Sequence, residues 1–550
     1  MDCWRALEDG LHLFGIPGCD PGLIKVFTQS VLEQLRAVEG ALHWKLLIEE
    51  HSDENREAVF REKAVGFFGF CELEEIRLFH PANLAVRPRF ETGRRGPEDQ
   101  PVPAPTPNAE SPSPAISRAM SYGKARTRRD VCAGDLPHVL RTSTKIAPVS
   151  DIFIVDACRT PMGKLGGQLA LVRPDDLAAH AVASLMKRNP DLDPMSIEDI
   201  QWGAANQAGE DNRNVARMAG LLAGLPIEVP GVTVNRLCGS GMQAVVSAAH
   251  ALNDGWGNVM IAGGSESMSR APYVTLKAEE GFPKGTPDSA DTVLGWRLVN
   301  SKMNELYPPI TLGMTAEVVA EKFKVSREDQ DVFALRSHHL ALDAVSAGRF
   351  NDEIESTEAP TDTRRRTSKP IEHDEGPRTD TSLEILAKLR PVFKEDGVVT
   401  AGNSSPMNDG AAALLLANEK GLADHGLTPM ARIVSSGAAG VHPDIMGIGP
   451  VPASEKAMAR AGIGVGDIDL VELNEAFASQ TLASMRLLEI DPAKVNVNGG
   501  AIAIGHPLGA SGARILVTLA HEMKRREASY GLATMCIGVG QGIATVIERV

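Results

Sequence analysis

Two cysteines and one histidine in this chain stand among glycines, in runs far apart along the sequence. Cys238 lies in Val234-Asn235-Arg236-Leu237-Cys238-Gly239-Ser240-Gly241-Met242. His506 lies in Gly499-Gly500-Ala501-Ile502-Ala503-Ile504-Gly505-His506-Pro507-Leu508-Gly509, and Cys536 in Thr534-Met535-Cys536-Ile537-Gly538-Val539-Gly540. A thiol at a helix start feels the positive end of the helix dipole, which favours thiolate, and a nearby imidazole adds to that activation. Gly239 and Gly241 let a substrate carbonyl approach the backbone closely. Two thiols and an imidazole are what is needed to make or break a carbon–carbon bond next to a thioester. The plain alternative for each cysteine is a core residue in an Ala- and Val-rich interior, and for His506 a ring satisfied by a carbonyl. A zinc site is a weaker alternative, because only three ligands are apparent and no C-x-x-C or H-x-x-x-H pair accompanies them.

The elements that must position these groups begin at Asp151. Ile152-Phe153-Ile154-Val155 reads as a short buried strand. Strands and Ala-rich helices then alternate, which predicts parallel sheets covered by helices. A faint repeat runs through them. Val232-Thr233-Val234-Asn235 is followed by Ser240-Gly241 and an apolar helix ending in Ala249-His250; Val495-Asn496-Val497-Asn498 is followed by Ser511-Gly512 and an apolar helix ending in Ala520-His521. Such a repeat implies a duplicated fold with a pseudo-twofold axis and active residues where the halves meet. The stretch of about 271–391 lacks the rhythm, is rich in charge and reads as an inserted lobe. Apolar residues on several faces of the helix after Cys238, with Val259-Met260-Ile261 read as an edge strand, predict a second copy packed against them.

Upstream the composition differs. Asp20-Pro21 offers a helix start, and Ile24, Phe27, Val31, Leu35, Val38 and Leu42 recur at helical spacing. Residues 1–93 read as a partly helical extension, and 94–150 as a linker with Pro97, Pro101, Pro103, Pro105, Pro107, Pro112 and Pro114. An upstream stretch joined by a mis-assigned start, with Met120 as an internal start, is the competing reading.

The chain has 550 residues, 43% hydrophobic and 4% aromatic, which suits a small-residue α/β enzyme of several domains' worth of core. A net charge of -15 argues against nucleic acid as a partner. No run of eighteen apolar residues suggests a membrane span. Seven cysteines without close pairing point to a reducing compartment. The acidic start (Asp2, Glu8, Asp9, Asp20) and the ending Ile547-Glu548-Arg549-Val550 carry no leader or peroxisomal address, so a cytoplasmic location is expected.

Four blocks together resemble the signatures of the thiolases, from about Asp151 to Val550: Asn235-Arg236-Leu237-Cys238-Gly239-Ser240-Gly241, Asn474-Glu475-Ala476-Phe477-Ala478, the glycine-rich run around His506, and Cys536-Ile537-Gly538-Val539-Gly540-Gln541-Gly542. The resemblance implies an α/β, duplicated thiolase fold: two similar halves with mixed sheets covered by helices in αβαβα layers, 151–425 with the inserted lobe and 426–550. It implies cleavage of a 3-oxoacyl-CoA by CoA to acyl-CoA and acetyl-CoA. In that reaction Cys238 would carry the acyl group, His506 would take the thiol proton, and Cys536 would protonate the acetyl-CoA enolate. Asn474 would hold a water in one oxyanion hole, the N–H groups of Cys238 and Gly538 would form the other, and Ser405 would touch the CoA pantetheine. Leu312 departs from the family pattern, since a methionine is expected there near the acyl group. No bound cofactor is implied, only coenzyme A as substrate. A homodimer or homotetramer and a β-oxidation multienzyme partner are the implied associations.

Asn206 to Met218, Glu266-Ser267-Met268-Ser269-Arg270-Ala271-Pro272 and Gly295-Trp296-Arg297 look like the degradative thiolases of aromatic catabolism that cleave β-ketoadipyl-CoA, whereas the stretch Gly531 to Gly538 is also similar to fatty-acid β-oxidation thiolases. Arg213, Arg270 and Arg297 are candidate cations for the far end of a dicarboxylate chain. Acetoacetyl-CoA thiolase is the nearest alternative activity. Decarboxylating ketosynthases use a Cys with two histidines, and a lipid-binding or scaffold protein of this fold would have lost one of Cys238, His506 and Cys536.

Overall fold

The computed structural model describes residues 150–550, apart from 280, 283 and 363–366. The extension 1–93 and the linker read from the sequence, up to residue 149, lie outside the described residues.

The first half comprises β1 (Ile152–Arg159), β2 (Gly163–Lys164), α1 (Pro174–Arg188), β3 (Ile197–Gly203), α2 (Val215–Leu222), β4 (Gly231–Val234), α3 (Ser240–Asn253) and β5 (Val259–Ser267). An intervening region follows, with hairpin β6 (Tyr273–Thr275) and β7 (Ser289–Asp291), helices α4 (Ser301–Leu306), α5 (Leu312–Lys322) and α6 (Arg327–Ser346), hairpin β8 (Thr357–Asp362) and β9 (Thr367–Ile371), and the short α7 (Leu383–Leu386). Strand β10 (Asn408–Asn418) returns to the sheet, and α8 (Glu419–His425) leads to the second half: β11 (Ala431–Gly440), α9 (Pro450–Ala461), β12 (Leu470–Leu473), α10 (Ala478–Leu488), α11 (Leu508–Arg526), β13 (Tyr530–Ile537) and β14 (Gln541–Arg549).

One sheet runs through both halves in the order β12-β13-β14-β11-β1-β10-β5-β3-β4. The order is palindromic about the contact of β1 with β11, an antiparallel junction at Ile152–Ile433, Phe153–Arg432 and Ile154–Ala431. On each side the next two pairings are antiparallel and the one beyond is parallel. A bridge of Val495 to Val471 extends the second half as β4 extends the first. The sheet is therefore mixed, not parallel as strand–helix alternation alone predicts. The reason is local: β14 follows β13 through a tight turn and must run back along it.

Helices α3 and α11 pack on each other and reach strands of both halves, while α1 and α2 cover the first half and α9 the second. Side chains of α3, α11 and both halves of the sheet form one cluster with Met242, Val245, Met260, Leu414, Leu516, Met535 and Ile543. Glycines permit the close approach: a Cβ on Gly241 would lie 2.7 Å from the Gly509 oxygen, and one on Gly512 would lie 2.4 Å from the Met242 nitrogen. The serine–glycine pairs of the repeat are thus where the two central helices touch.

This packing corrects the sequence argument for a second copy. The apolar faces of α3 are covered by its own chain, and β5 lies inside the sheet between β10 and β3. The edge strand of the first half is β4, where Val232 is 40% exposed.

Candidate active site

Cys238 sits in the turn between β4 and α3, just before the helix N-cap Gly239. Leu237 before it has φ 47°, a left-handed conformation unusual for a non-glycine. The surrounding side chains hold that conformation. Asn235 Oδ1 accepts the Leu237 N–H at 2.8 Å, and Ser240 Oγ donates to the Leu237 carbonyl at 2.6 Å while accepting the Arg236 N–H at 2.9 Å. Arg236 donates to Gln243 (2.7 Å) and to Gln541 (3.1 Å), tying the turn to α3 and β14.

The Cys238 side chain is buried, and its turn lies against that of Cys536: a Cβ on Gly239 would lie 2.6 Å from Ile537, and one on Gly538 would lie 3.3 Å from Leu237. Burial pushes the thiol up to about 11, with the Glu266 charge adding to the rise and the Gly538 and Cys238 N–H groups opposing it. The helix start favours thiolate, but desolvation outweighs it and the N–H groups, so the nucleophile is made by proton transfer.

Cys536 lies one residue before the end of β13, and burial raises its thiol well above the ordinary value, with Cys238 adding to the effect. It packs in a small apolar cluster with Ala316, Val399, Met446, Ala476, Phe477 and Leu312. Leu312 opens α5 behind the N-cap Thr311. Gly538 faces both reactive segments, since a Cβ there would lie 3.3 Å from Leu237 and 3.8 Å from Leu312.

His506 is reached through the turn 499–505, and Gly505 has φ 124°, with the Asn408 side chain packed where a Cβ would project. Asn408 accepts the His506 N–H at 2.9 Å and donates to the Gly163 carbonyl at 2.8 Å. The ring Nδ1 lies 2.6 Å from Ser511 Oγ. Burial pushes the imidazole down to about 3, with Arg514 adding to the fall, so the ring is neutral.

Asn474 follows β12. Its N–H bonds the Thr534 carbonyl two residues before Cys536, and its own carbonyl accepts from Gln480. Its Nδ2 is 3.5 Å from both ring nitrogens of His506, and its buried Oδ1 has no partner among the described residues. Ser405 donates its N–H to the Ala476 carbonyl at 2.9 Å, beside the Ser404–Phe477 bridge.

The structure brings several sequence-identified residues together: the turns of Cys238 and Cys536 meet through Gly239–Ile537 and Leu237–Gly538, Leu312 packs on the Cys536 cluster, Asn474 neighbours His506, and Ser405 bonds the Asn474-Glu475-Ala476 turn. The three arginines are engaged elsewhere or outward. Arg270 pairs with Glu210, Arg297 donates to the Thr292 carbonyl, and Arg213 is exposed. Among the described residues no three His, Cys, Asp or Glu side chains are grouped to hold a metal ion.

Sequence reasoning missed the groups that carry this arrangement. Buried Glu475 accepts from Ser337, Asn496 and the Ile502 N–H. Buried Glu266 accepts the N–H groups of Ala205, Asn206 and Gly509 and so joins the β3 loop to the start of α11. Glu475 lay in a quoted block and Ser511 in the repeat, but no local pattern names their partners.

The family models for the thiolase N-terminal and C-terminal domains match residues 152–420 and 427–549. The chain is 54% identical over 403 residues to the β-ketoadipyl-CoA thiolase of Pseudomonas aeruginosa, covering 73% of this chain and 99% of that one. It is 52% identical over 402 residues to the 3-oxoadipyl-CoA/3-oxo-5,6-dehydrosuberyl-CoA thiolase of Escherichia coli K12, covering 73% and 100%. Among solved structures, human mitochondrial 3-ketoacyl-CoA thiolase in complex with CoA superposes with TM-score 0.68 at 42% identity, covering 73% and 98%.

Proposed function

Because the chain belongs to the thiolase family, we propose that its acyltransferase chemistry runs on Cys238, His506 and Cys536. Cys238 attacks the 3-oxo carbon of a 3-oxoacyl-CoA as His506 takes its proton. The C3 oxyanion that forms lies on the N–H groups of Cys238 and Gly538, while the thioester oxygen that takes up the enolate charge is stabilised from the Asn474 side chain, through a water that its unpartnered Oδ1 would hold. The C2–C3 bond then breaks, and Cys536 gives its proton to the acetyl-CoA enolate. The acyl group stays on Cys238 with its carbonyl oxygen on the N–H groups of Cys238 and Gly538. Oxyanion donors of this kind are typically worth about 3–4 kcal/mol each. Free CoA enters past Ser405, gives its thiol proton to Cys536 and attacks the acyl-cysteine, releasing acyl-CoA as the Cys238 thiolate leaves and takes its proton back from His506. The observation that carries this reading is the close approach of the two cysteine turns: a Cβ on Gly239, next to Cys238, would lie only 2.6 Å from Ile537, next to Cys536.

The substrate we favour is a dicarboxylate such as β-ketoadipyl-CoA, supported by the names of the relatives at 54% and 52% identity. Acetoacetyl-CoA is the runner-up, supported by a 41% identical acetyl-CoA acetyltransferase structure from Bacillus anthracis. Thiolysis of acetoacetyl-, long-chain 3-oxoacyl- and β-ketoadipyl-CoA, compared by kcat/KM, separates the readings. A preference for acetoacetyl-CoA would overturn the dicarboxylate assignment. For assembly we propose a homodimer through the β4 edge, supported by exposed Ile227 and Val232. Sedimentation at nanomolar protein tests it, and a stable, fully active monomer would overturn it. A reducing, cytoplasmic setting is supported by the free thiols Cys158, Cys238 and Cys536.

A further inference from the structure

We propose that Ser511 fixes His506 in the tautomer that carries its proton on Nδ1, leaving Nε2 as the atom that receives the Cys238 proton. The use made of Nε2 rests on the thiolase reading above; the tautomer does not. Ser511 Oγ has two close polar neighbours, the Pro507 carbonyl oxygen at 2.8 Å and His506 Nδ1 at 2.6 Å. A carbonyl has no proton to give, so the hydrogen between it and Oγ is the hydroxyl's own. Otherwise two lone pairs would face each other at hydrogen-bond distance in a site where Ser511 is fully buried. The hydroxyl has no second hydrogen, so the contact with the ring is closed by a proton on Nδ1. A neutral imidazole has one N–H, and Nε2 is therefore a bare lone pair.

The internal repeat supplies an independent check. Ser240 opens α3 as Ser511 lies in the first turn of α11. Its Oγ also donates back to a carbonyl, that of Leu237, and accepts an N–H, that of Arg236. There the N–H is backbone, so the direction is not in question. Both halves use the same seat: a serine at a helix start donates backward and accepts from the reactive loop. The other polar neighbour of the ring, Asn474 Nδ2, is 3.5 Å from each nitrogen, too far and too evenly placed to select one. When the Cys238 proton moves from sulfur to Nε2, the imidazolium keeps its Nδ1–H on Ser511 and no hydroxyl has to turn.

The test is nitrogen NMR of the full chain labelled with 15N-histidine, with His506 signals assigned by their loss in His506→Gln. At neutral pH the wild type should show an unprotonated Nε2 and a protonated Nδ1. Ser511→Ala should lose that bias and slow acylation of Cys238 by about 10²-fold; Ser511→Thr, which keeps the hydroxyl, should restore the tautomer. A protonated Nε2 in an active wild-type enzyme overturns the proposal and leaves the thiolase reading intact. An Nδ1–H tautomer in a chain without thiolysis activity does the reverse.

Discussion

Exchanging Glu475 for glutamine tests whether the turn that carries Asn474 is held by a carboxylate. Proton accounting says that it is. Ser337 Oγ accepts the Gly500 N–H at 3.0 Å, so its one hydrogen goes to Glu475 at 2.7 Å. Asn496 Oδ1 accepts the Leu473 N–H at 2.8 Å, so the atom facing Glu475, also at 2.8 Å, is its amide nitrogen. The Ile502 N–H is the third donor at 3.1 Å. In Glu475→Gln the amide oxygen can keep Ser337 and Ile502, but the new nitrogen then meets the Asn496 nitrogen donor to donor. One charge-assisted bond is lost, worth about 1.5–3 kcal/mol, and relief of the buried charge offsets part of it. A net loss of about 1–3 kcal/mol is expected. Glu475→Ala leaves all three donors buried without a partner and should cost about 3–5 kcal/mol. At roughly 1.2 °C per kcal/mol for a unit of about 400 residues, the alanine variant should melt about 4–6 °C lower. Because Asn496, whose bond is lost, also holds Leu473 beside Asn474, kcat for thiolysis should fall about 10²-fold even in the glutamine variant. Calorimetry and steady-state kinetics on the full chain read both numbers. A glutamine variant as stable and as active as wild type would show that Glu475 is a protonated acid, and the accounting would be wrong.

Cys238→Ala should abolish thiolysis, and in wild type a mass increment from acyl-CoA should appear on the peptide containing Cys238; a label on another cysteine would refute the assignment. Cys536→Ser should slow exchange of the acetyl-CoA methyl protons with deuterated water far more than it slows acylation of Cys238, and equal losses would contradict a separate role. His506→Gln should flatten the acid side of the stability curve. The unfolded histidine takes a proton near 6.5 and the folded one only near 3, so the unfolded state binds more protons between these values and stability falls with pH by up to about 1.4 kcal/mol per pH unit. Urea unfolding at pH 7 and pH 5 should therefore differ less in the variant, and parallel shifts would mean that His506 ionises in the folded protein. Gly241→Ala should sharply lower soluble yield, because its Cβ would meet backbone of α11, the Gly509 oxygen at 2.7 Å and the Ala513 nitrogen at 2.8 Å; a normal yield and melting temperature would show that the helices can separate.

The candidate residues Cys238, His506 and Cys536 stood out in the sequence because each stands among glycines, and the repeat around Ser240 and Ser511 announced the pseudo-twofold sheet. Strand β1 was legible from Ile152-Phe153-Ile154-Val155 alone. The protonation of Cys238 was not, since a helix start suggests thiolate while the opposing burial comes from residues hundreds of positions away. Nor was the interior ion pairing of Arg159 with Glu353 and Asp374, which is fully buried and joins β1 to the segments around β8 and β9. Periodicity reports which face of an element is apolar; it carries no information on which distant carboxylate a buried arginine meets. The position of β5 was misread for the same reason, because a strand's neighbours are set by topology and not by its own residues.

The meeting of α3 with α11 also governs how the chain matures on the ribosome. Met242 and Val245 emerge more than 250 residues before Leu516, Met535 and Ile543, which share their cluster. At about 5–20 residues per second, the first half waits on the order of tens of seconds with the apolar inner face of α3 uncovered. The glycines that let the helices touch cannot shield that face, since they contribute no side chain to collapse upon. The nascent first half should therefore be a client of chaperones, and Cys238 should be reactive toward alkylating reagents in ribosome-bound chains that stop before Leu508 and protected once β14 has been made.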